Sequence, residues 1–316
     1  INNATAHGAS ALLLVGDRNQ KHELFSKFPF ASNTPENAIP VYELTRRGYS
    51  SLLEVTGQTQ AGVFFTTPAI LMNAKLEVQI YLSTAEMVES SNVLGLLEGT
   101  NPELKDDLII VGAHYDHVGD DVDMSYRGAN DNASGVAVLL EIARLWQETA
   151  YRPQRSVLFV AWGAQELGEV GSQYYVANPI HPLENTIAML QLDAMGGGKG
   201  YYLEASGDRG EEGALLYAIQ KASELLETRL QTTVPDTPES SEAGWLFSPA
   251  YLFNSSRIVA SSDDVPFRNA GIPSLLLRWQ KTSEDNLPDA FADEVLPERL
   301  EAAGKTITLT LMILGR

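Results

Sequence analysis

Apolar and polar positions alternate between two rhythms along this chain, and the rhythm decides the elements. Leu76-Glu77-Val78-Gln79-Ile80-Tyr81-Leu82 alternates residue by residue, as a half-exposed strand should. Ser91 to Thr100 reads as a strand running into a turn, and Leu108-Ile109-Ile110-Val111 as a buried strand bounded by Gly112. Ser156-Val157-Leu158-Phe159-Val160-Ala161-Trp162 is almost wholly apolar, the pattern of a strand covered on both faces. Thr186 to Leu192 and Ser274 to Arg278 complete the central strands. Between them the period lengthens to that of helices at Val136–Trp146, from Gly171 to Val176, at Glu211–Leu226 and at Leu300–Leu314. Strands alternating with helices predict an α/β fold: a three-layer sandwich with a mostly parallel central sheet.

The first seventy residues follow a different pattern. Ala11–Val15 and Ile39–Leu44 read as short strands separated by a polar loop, and Tyr49–Leu53 as a short helix. This stretch resembles part of a protease-associated domain, a small β-rich lid. The organisation expected is therefore residues 1–70 as a partial lid and 71–316 as the main domain. The polar segment Gln231–Gly244 is long for a loop in a compact domain and marks a functional or mobile feature.

Composition narrows the function. A formal charge of -19 opposes nucleic acid and anionic membranes and favours cations, among them metal ions and free amino termini. No apolar run is long enough to span a bilayer. With no cysteine, thiolate chemistry and Cys-based zinc sites are excluded together. The chain starts at Ile1 without an initiator Met or a signal-peptide pattern, and reads as a mature or trimmed fragment.

The chemistry lies at strand ends. His114, Asp131, Glu166, Asp193 and Asp264 each fall at or just after one. The mouth of an open α/β sheet, at the carboxyl ends of its strands, is where ligands bind. Ionic groups beside apolar strands need a partner to offset their desolvation. A metal pair sharing one carboxylate meets that need, and His and Asp suit zinc.

Five ordered segments then carry a resemblance. Gly112-Ala113-His114-Tyr115-Asp116, Gly128-Ala129-Asn130-Asp131-Asn132-Ala133-Ser134-Gly135, Trp162-Gly163-Ala164-Gln165-Glu166-Leu167-Gly168, Gln191-Leu192-Asp193 and Ser262-Asp263-Asp264-Val265-Pro266-Phe267 resemble the M28 metallopeptidases, zinc aminopeptidases and carboxypeptidases. The resemblance implies a peptide substrate, one or two zinc ions and an extracytoplasmic location. It implies that His114, Asp131 and Asp193 hold one zinc, that Asp131 bridges to a second, and that Glu166 binds that second ion. Asp116 would accept a hydrogen bond from His114 and fix its ring. A cis peptide is expected at Asp131-Asn132.

Three departures qualify that picture. Gln165 stands where the family has the glutamate that takes a proton from the attacking water, and an amide cannot take it. General-base help is worth about a hundred- to ten-thousand-fold. Asp264 stands where the family has histidine, which would make the second site Asp131, Glu166 and Asp264, all oxygen, and shift it toward harder ions. Asp285-Asn286-Leu287-Pro288-Asp289-Ala290-Phe291 has lost the His, Asp and Thr of the matching pattern. The expected function is thus a metal-dependent exopeptidase with weakened activity. The alternatives are a non-catalytic peptide- or metal-binding protein on the same fold, and, more distantly, a one-zinc acyl-transfer enzyme. His117 reads either as pocket lining or as a solvated loop residue, and His181 as structural. Gly196-Gly197-Gly198 reads as a flexible rim rather than a phosphate loop, and the absence of Gly-x-Ser-x-Gly removes support for a serine hydrolase.

Overall fold

A computed structural model describes residues 7–15, 39, 41–44, 89–120, 125–197, 200–207, 213–232, 262–280 and 295–316. The chain separates into two compact units, Ile1–Glu89 and Ser90–Arg316. In the first unit, β1 (Leu12–Val15) pairs in parallel with β2 (Val41–Leu44). The helix expected at 49–53 and the strand at 76–82 lie outside the described residues.

The second unit is built on a seven-stranded mixed sheet. In chain order its described elements are β3 (Val93–Leu97), β4 (Leu108–His114), a small hairpin of β5 (Gly119–Asp120) and β6 (Ser125–Tyr126), and α1 (Ser134–Glu148). Next come β7 (Ser156–Trp162), α2 (Val170–Ala177), β8 (Thr186–Leu192), β9 (Leu203–Ser206) and α3 (Gly213–Leu226). The chain closes with β10 (Leu230–Thr232), α4 (Val265–Asn269), β11 (Ser274–Trp279) and α5 (Pro297–Leu314). The sheet runs β10-β9-β11-β8-β4-β7-β3. β7, β4, β8 and β11 are mutually parallel, while β3 joins β7 and β9 joins β11 antiparallel.

Strand period two divides the core. Ile109, Val111 and Ala113 of β4 point to one face, where α1, α3 and α5 bring Val138, Leu139, Ile142, Ile219, Ile307 and Leu311. Leu108 and Ile110 point to the other, against Leu158, Val160, Trp162, Tyr175 and Phe267. Trp162 is fully buried, with ring centroids 5.6 Å from Tyr175 and 5.7 Å from Phe267. These contacts fasten α2 and α4 beneath the sheet, and truncating such a ring costs about 3–5 kcal/mol. Helix layers on both faces make the three-layer α/β sandwich that the apolar rhythm predicts.

The strand order places the chemistry. From β4 the chain moves to β7 on one side and later returns to β8 on the other, so β4 is the point at which the winding reverses. Loops leaving the carboxyl ends of strands on either side of such a point diverge and open a crevice. The register sets His114 opposite Trp162, and Gly112 opposite Gln191 two residues below. His114, the residues after Trp162 and Asp193 therefore emerge at one level.

Candidate metal centre

His114 ends β4 and is 1% exposed. Its Nε2 lies 3.2 Å from Asp131 Oδ1, and its Nδ1 lies 3.0 Å from the backbone carbonyl oxygen of Asp116. With Nδ1–H donating to that carbonyl, Nε2 is aimed at the cluster. The Asp116 carboxylate does something else: Oδ1 accepts from the Gln165 N–H and Oδ2 from the Glu166 N–H, both at 3.0 Å. Its nearer oxygen is 3.9 Å from His114 Nδ1. Asp116 thus fixes the imidazole through its main chain and the 165–166 turn through its side chain.

Asp131 sits in a wide turn, Ala129–Ala133, closed by the Ala133 N–H donating to Gly128 O at 2.9 Å. The Asp131-Asn132 peptide is cis. The flanking asparagines bind this turn to the strand carrying Asp193. Asn132, 2% exposed, donates from Nδ2 to Leu192 O at 2.8 Å. Its Oδ1 accepts from Gly135 N at 3.1 Å and Ala194 N at 3.2 Å. Asn130 Oδ1 accepts from Gly196 N at 2.9 Å, so the glycine run after Asp193 is pinned at its start rather than a free rim. Gly135 permits the approach, because a Cβ there would lie 2.3 Å from Asn132 Oδ1 and 2.8 Å from Leu192 O.

Asp193 follows β8, and its Oδ2 accepts from Ser262 Oγ at 3.1 Å. Ser262 belongs to a buried layer in which Asp263 accepts from Ser172 Oγ at 2.6 Å and from Gln191 Nε2 at 3.2 Å. Burial pushes the Asp263 carboxyl up to about 7, against the Ser172 hydrogen bond.

Two sets of ligand atoms converge within 4.8 Å of one another: His114, Asp131 and Asp193, and His117, Asp131 and Glu166. Asp131 is common to both. Asp264, expected as a ligand of the second site, belongs to neither set. It is fully buried, and Arg268 Nη2 stands 2.8 Å from its Oδ2 one helical turn along α4. The neighbouring Phe267 packs into the apolar cluster with Trp162 and Tyr175. His117 enters the cluster instead, with Nδ1 2.9 Å from Glu166 Oε1. Its signal in the sequence was only its place three residues after His114. Gln165 lies beside Glu166 in the same turn and is held there by its backbone. Residues 285–291 and 233–244 lie outside the described residues.

The donor set fits zinc, for imidazole nitrogens and carboxylate oxygens meeting at one point suit that ion. The electrostatics agree. Burial opposes charge on His114, but the Asp131 hydrogen bond and the charges of Asp193, Asp131 and Asp263 prevail and hold its pKa at about 10. The field that would keep a proton between His114 and Asp131 is the field that would hold a divalent cation there.

The model of peptidase family M28 matches residues 92–294. The chain is 27% identical over 315 residues to the aminopeptidase YwaD of Bacillus subtilis (strain 168), which spans 97% of this chain and 57% of that protein. The structure of BSAP, a zinc aminopeptidase from Bacillus subtilis, is similar with a TM-score of 0.54 and 27% identity over 70% of this chain and 49% of that one. The aminopeptidase from Aneurinibacillus sp. strain AM-1 shares the fold over 98% of this chain and 65% of that one, with a TM-score of 0.61 and 21% identity. The chain spans about half the length of the curated relative and solved structure first named here. With five ordered motifs and a family match across the second unit, the chain belongs to peptidase family M28.

Proposed function

We propose that this chain is the metal-binding part of a zinc-dependent aminopeptidase that acts on the free amino termini of peptides. The observation that carries the proposal is the pair of ligand sets sharing Asp131 at the carboxyl ends of β4, β7 and β8. His114, Asp131 and Asp193 would hold zinc, which when bound supplies Lewis acidity toward a peptide carbonyl and toward water. The remaining work falls to the chain's own side chains. Asp116 fixes the His114 ring and the 165–166 turn in one orientation. The acidic crevice offers anionic partners to a substrate ammonium, in keeping with the net charge of -19.

Gln165 favours slow turnover. Its amide can orient a water by hydrogen bonding but cannot hold the proton that water must lose. That supports a second reading, a peptide-binding protein on the same scaffold. Residues 1–70 are proposed as a partial protease-associated lid and the location as extracytoplasmic, both from the resemblance. No helix among the described residues is long and apolar enough to cross a membrane.

Elemental analysis of the purified chain, run beside hydrolysis of a panel of aminoacyl substrates, tests the proposal. Zinc content that falls in His114→Ala, with slow release of the N-terminal residue by the parent, is expected. Tight peptide binding with no release at any enzyme concentration favours the binding protein. Absence of zinc from both chains overturns the metal-dependent reading.

A further inference from the structure

We propose that His117 supplies the nitrogen ligand of a second zinc site completed by Asp131 and Glu166. This rests on the metal-dependent reading above. It replaces the all-oxygen site that the sequence suggested with one carrying an imidazole.

Three observations converge on it. First, a ring nitrogen of His117, an Asp131 oxygen and a Glu166 oxygen lie within 4.8 Å of one another, and Asp131 is shared with the His114 set. Second, Glu166 is fixed where it stands, because the Asp116 carboxylate takes its N–H at 3.0 Å. The imidazole and Glu166 side chains are only 15% and 21% exposed, so their charges are partly withdrawn from water. Third, the main chain makes room for this placement. Gly128 has φ +67, and a Cβ there would stand 2.8 Å from His117 Cβ and Cγ and 2.7 Å from Asp131 O. Any larger residue at 128 would press on both the His117 side chain and the main chain of Asp131, which the second site needs together.

The consequence concerns metal choice. Imidazole with two carboxylates suits zinc, copper or nickel, whereas an all-oxygen site suits magnesium, calcium or manganese. Both sites then share one character, an imidazole from the β4 segment and a carboxylate from a neighbouring strand, with Asp131 between.

An ordinary His117–Glu166 ion pair without metal predicts a different outcome, so stoichiometry decides. Metal-free chain is titrated with zinc by calorimetry and by dialysis with elemental analysis, alongside His117→Ala and His114→Ala. The parent should bind about two zinc equivalents and His117→Ala about one. His117→Gln keeps a side chain of similar reach and serves if truncation unfolds the chain, which circular dichroism of the metal-free proteins reports. Unchanged stoichiometry and affinity in both His117 variants, with zinc lost in His114→Ala, overturns the second site and leaves the first reading standing. No zinc on any of the chains overturns both.

Discussion

Replacing Asn132 by alanine should be the most damaging single polar change in this fold. Its side chain makes three buried hydrogen bonds, donating to Leu192 O and accepting from Gly135 N and Ala194 N. The site is 2% exposed, so water cannot readily replace them. Losing three such bonds, at about 1 kcal/mol net each, with two amides and a carbonyl left unpartnered, gives about 3–5 kcal/mol. That is a large part of a typical domain's 5–15 kcal/mol. Asn132→Asp gives the graded test. It keeps the acceptor for both amides but turns an oxygen toward Leu192 O, and should cost about 1–3 kcal/mol. Urea unfolding of both variants in chelator measures these losses, and zinc titration measures their echo at His114, Asp131 and Asp193. A loss below about 1 kcal/mol for Asn132→Ala, with zinc affinity unchanged, would refute the idea that this side chain sets the Asp131–Asp193 spacing.

Two further predictions concern proton and charge. Gln165→Glu should raise hydrolysis of aminoacyl substrates by about a hundredfold or more, and an unchanged rate with zinc bound would mean that the missing base is not the limiting fault. Asp264 is held up at about 8 by burial, against the pull of Arg268. A raised acid contributes stability that is fully present below about pH 4 and is lost as pH rises through about 8. Asp264→Asn should therefore gain on the parent as pH climbs from 5 to 7.5, by up to about 1.4 kcal/mol per pH unit, in chelated urea melts. A pH-independent difference would sink it.

Much of the central sheet was legible because its strands are buried on both faces. Ser156–Trp162 and Thr186–Leu192 coincide with β7 and β8 for that reason. β9 and β10 escaped notice because four and three residues are too few to show a period. The hairpin after Gly119 is shorter still. Among site residues, His114, Glu166 and Asp193 announce themselves by following apolar strands and Asp131 by preceding an apolar helix, and the structure brings them into two groups that share Asp131. Asp264 has a similar local signature. Only tertiary packing reveals that its helix turns the carboxylate toward Arg268. Conversely, His117 gains its place from Gly128, a residue remote in sequence, and no local pattern connects the two.

The adjacency of β7, β4 and β8 works as a ruler. Neighbouring strands in any sheet stand about 4.8 Å apart, a spacing fixed by backbone hydrogen bonds and indifferent to side chains. One ligand set straddles the gap between β4 and β8, the other the gap between β4 and β7, and the turn bearing Asp131 spans them. The distance between the sites is thus inherited from the peptide backbone rather than tuned by the loops around them. Crevice-lining loops could be exchanged or lengthened to accept a different peptide while the graduations stay in place. A one-residue slip between β4 and β8 would instead move His114 out of step with Asp193 and dismantle the centre in a single move.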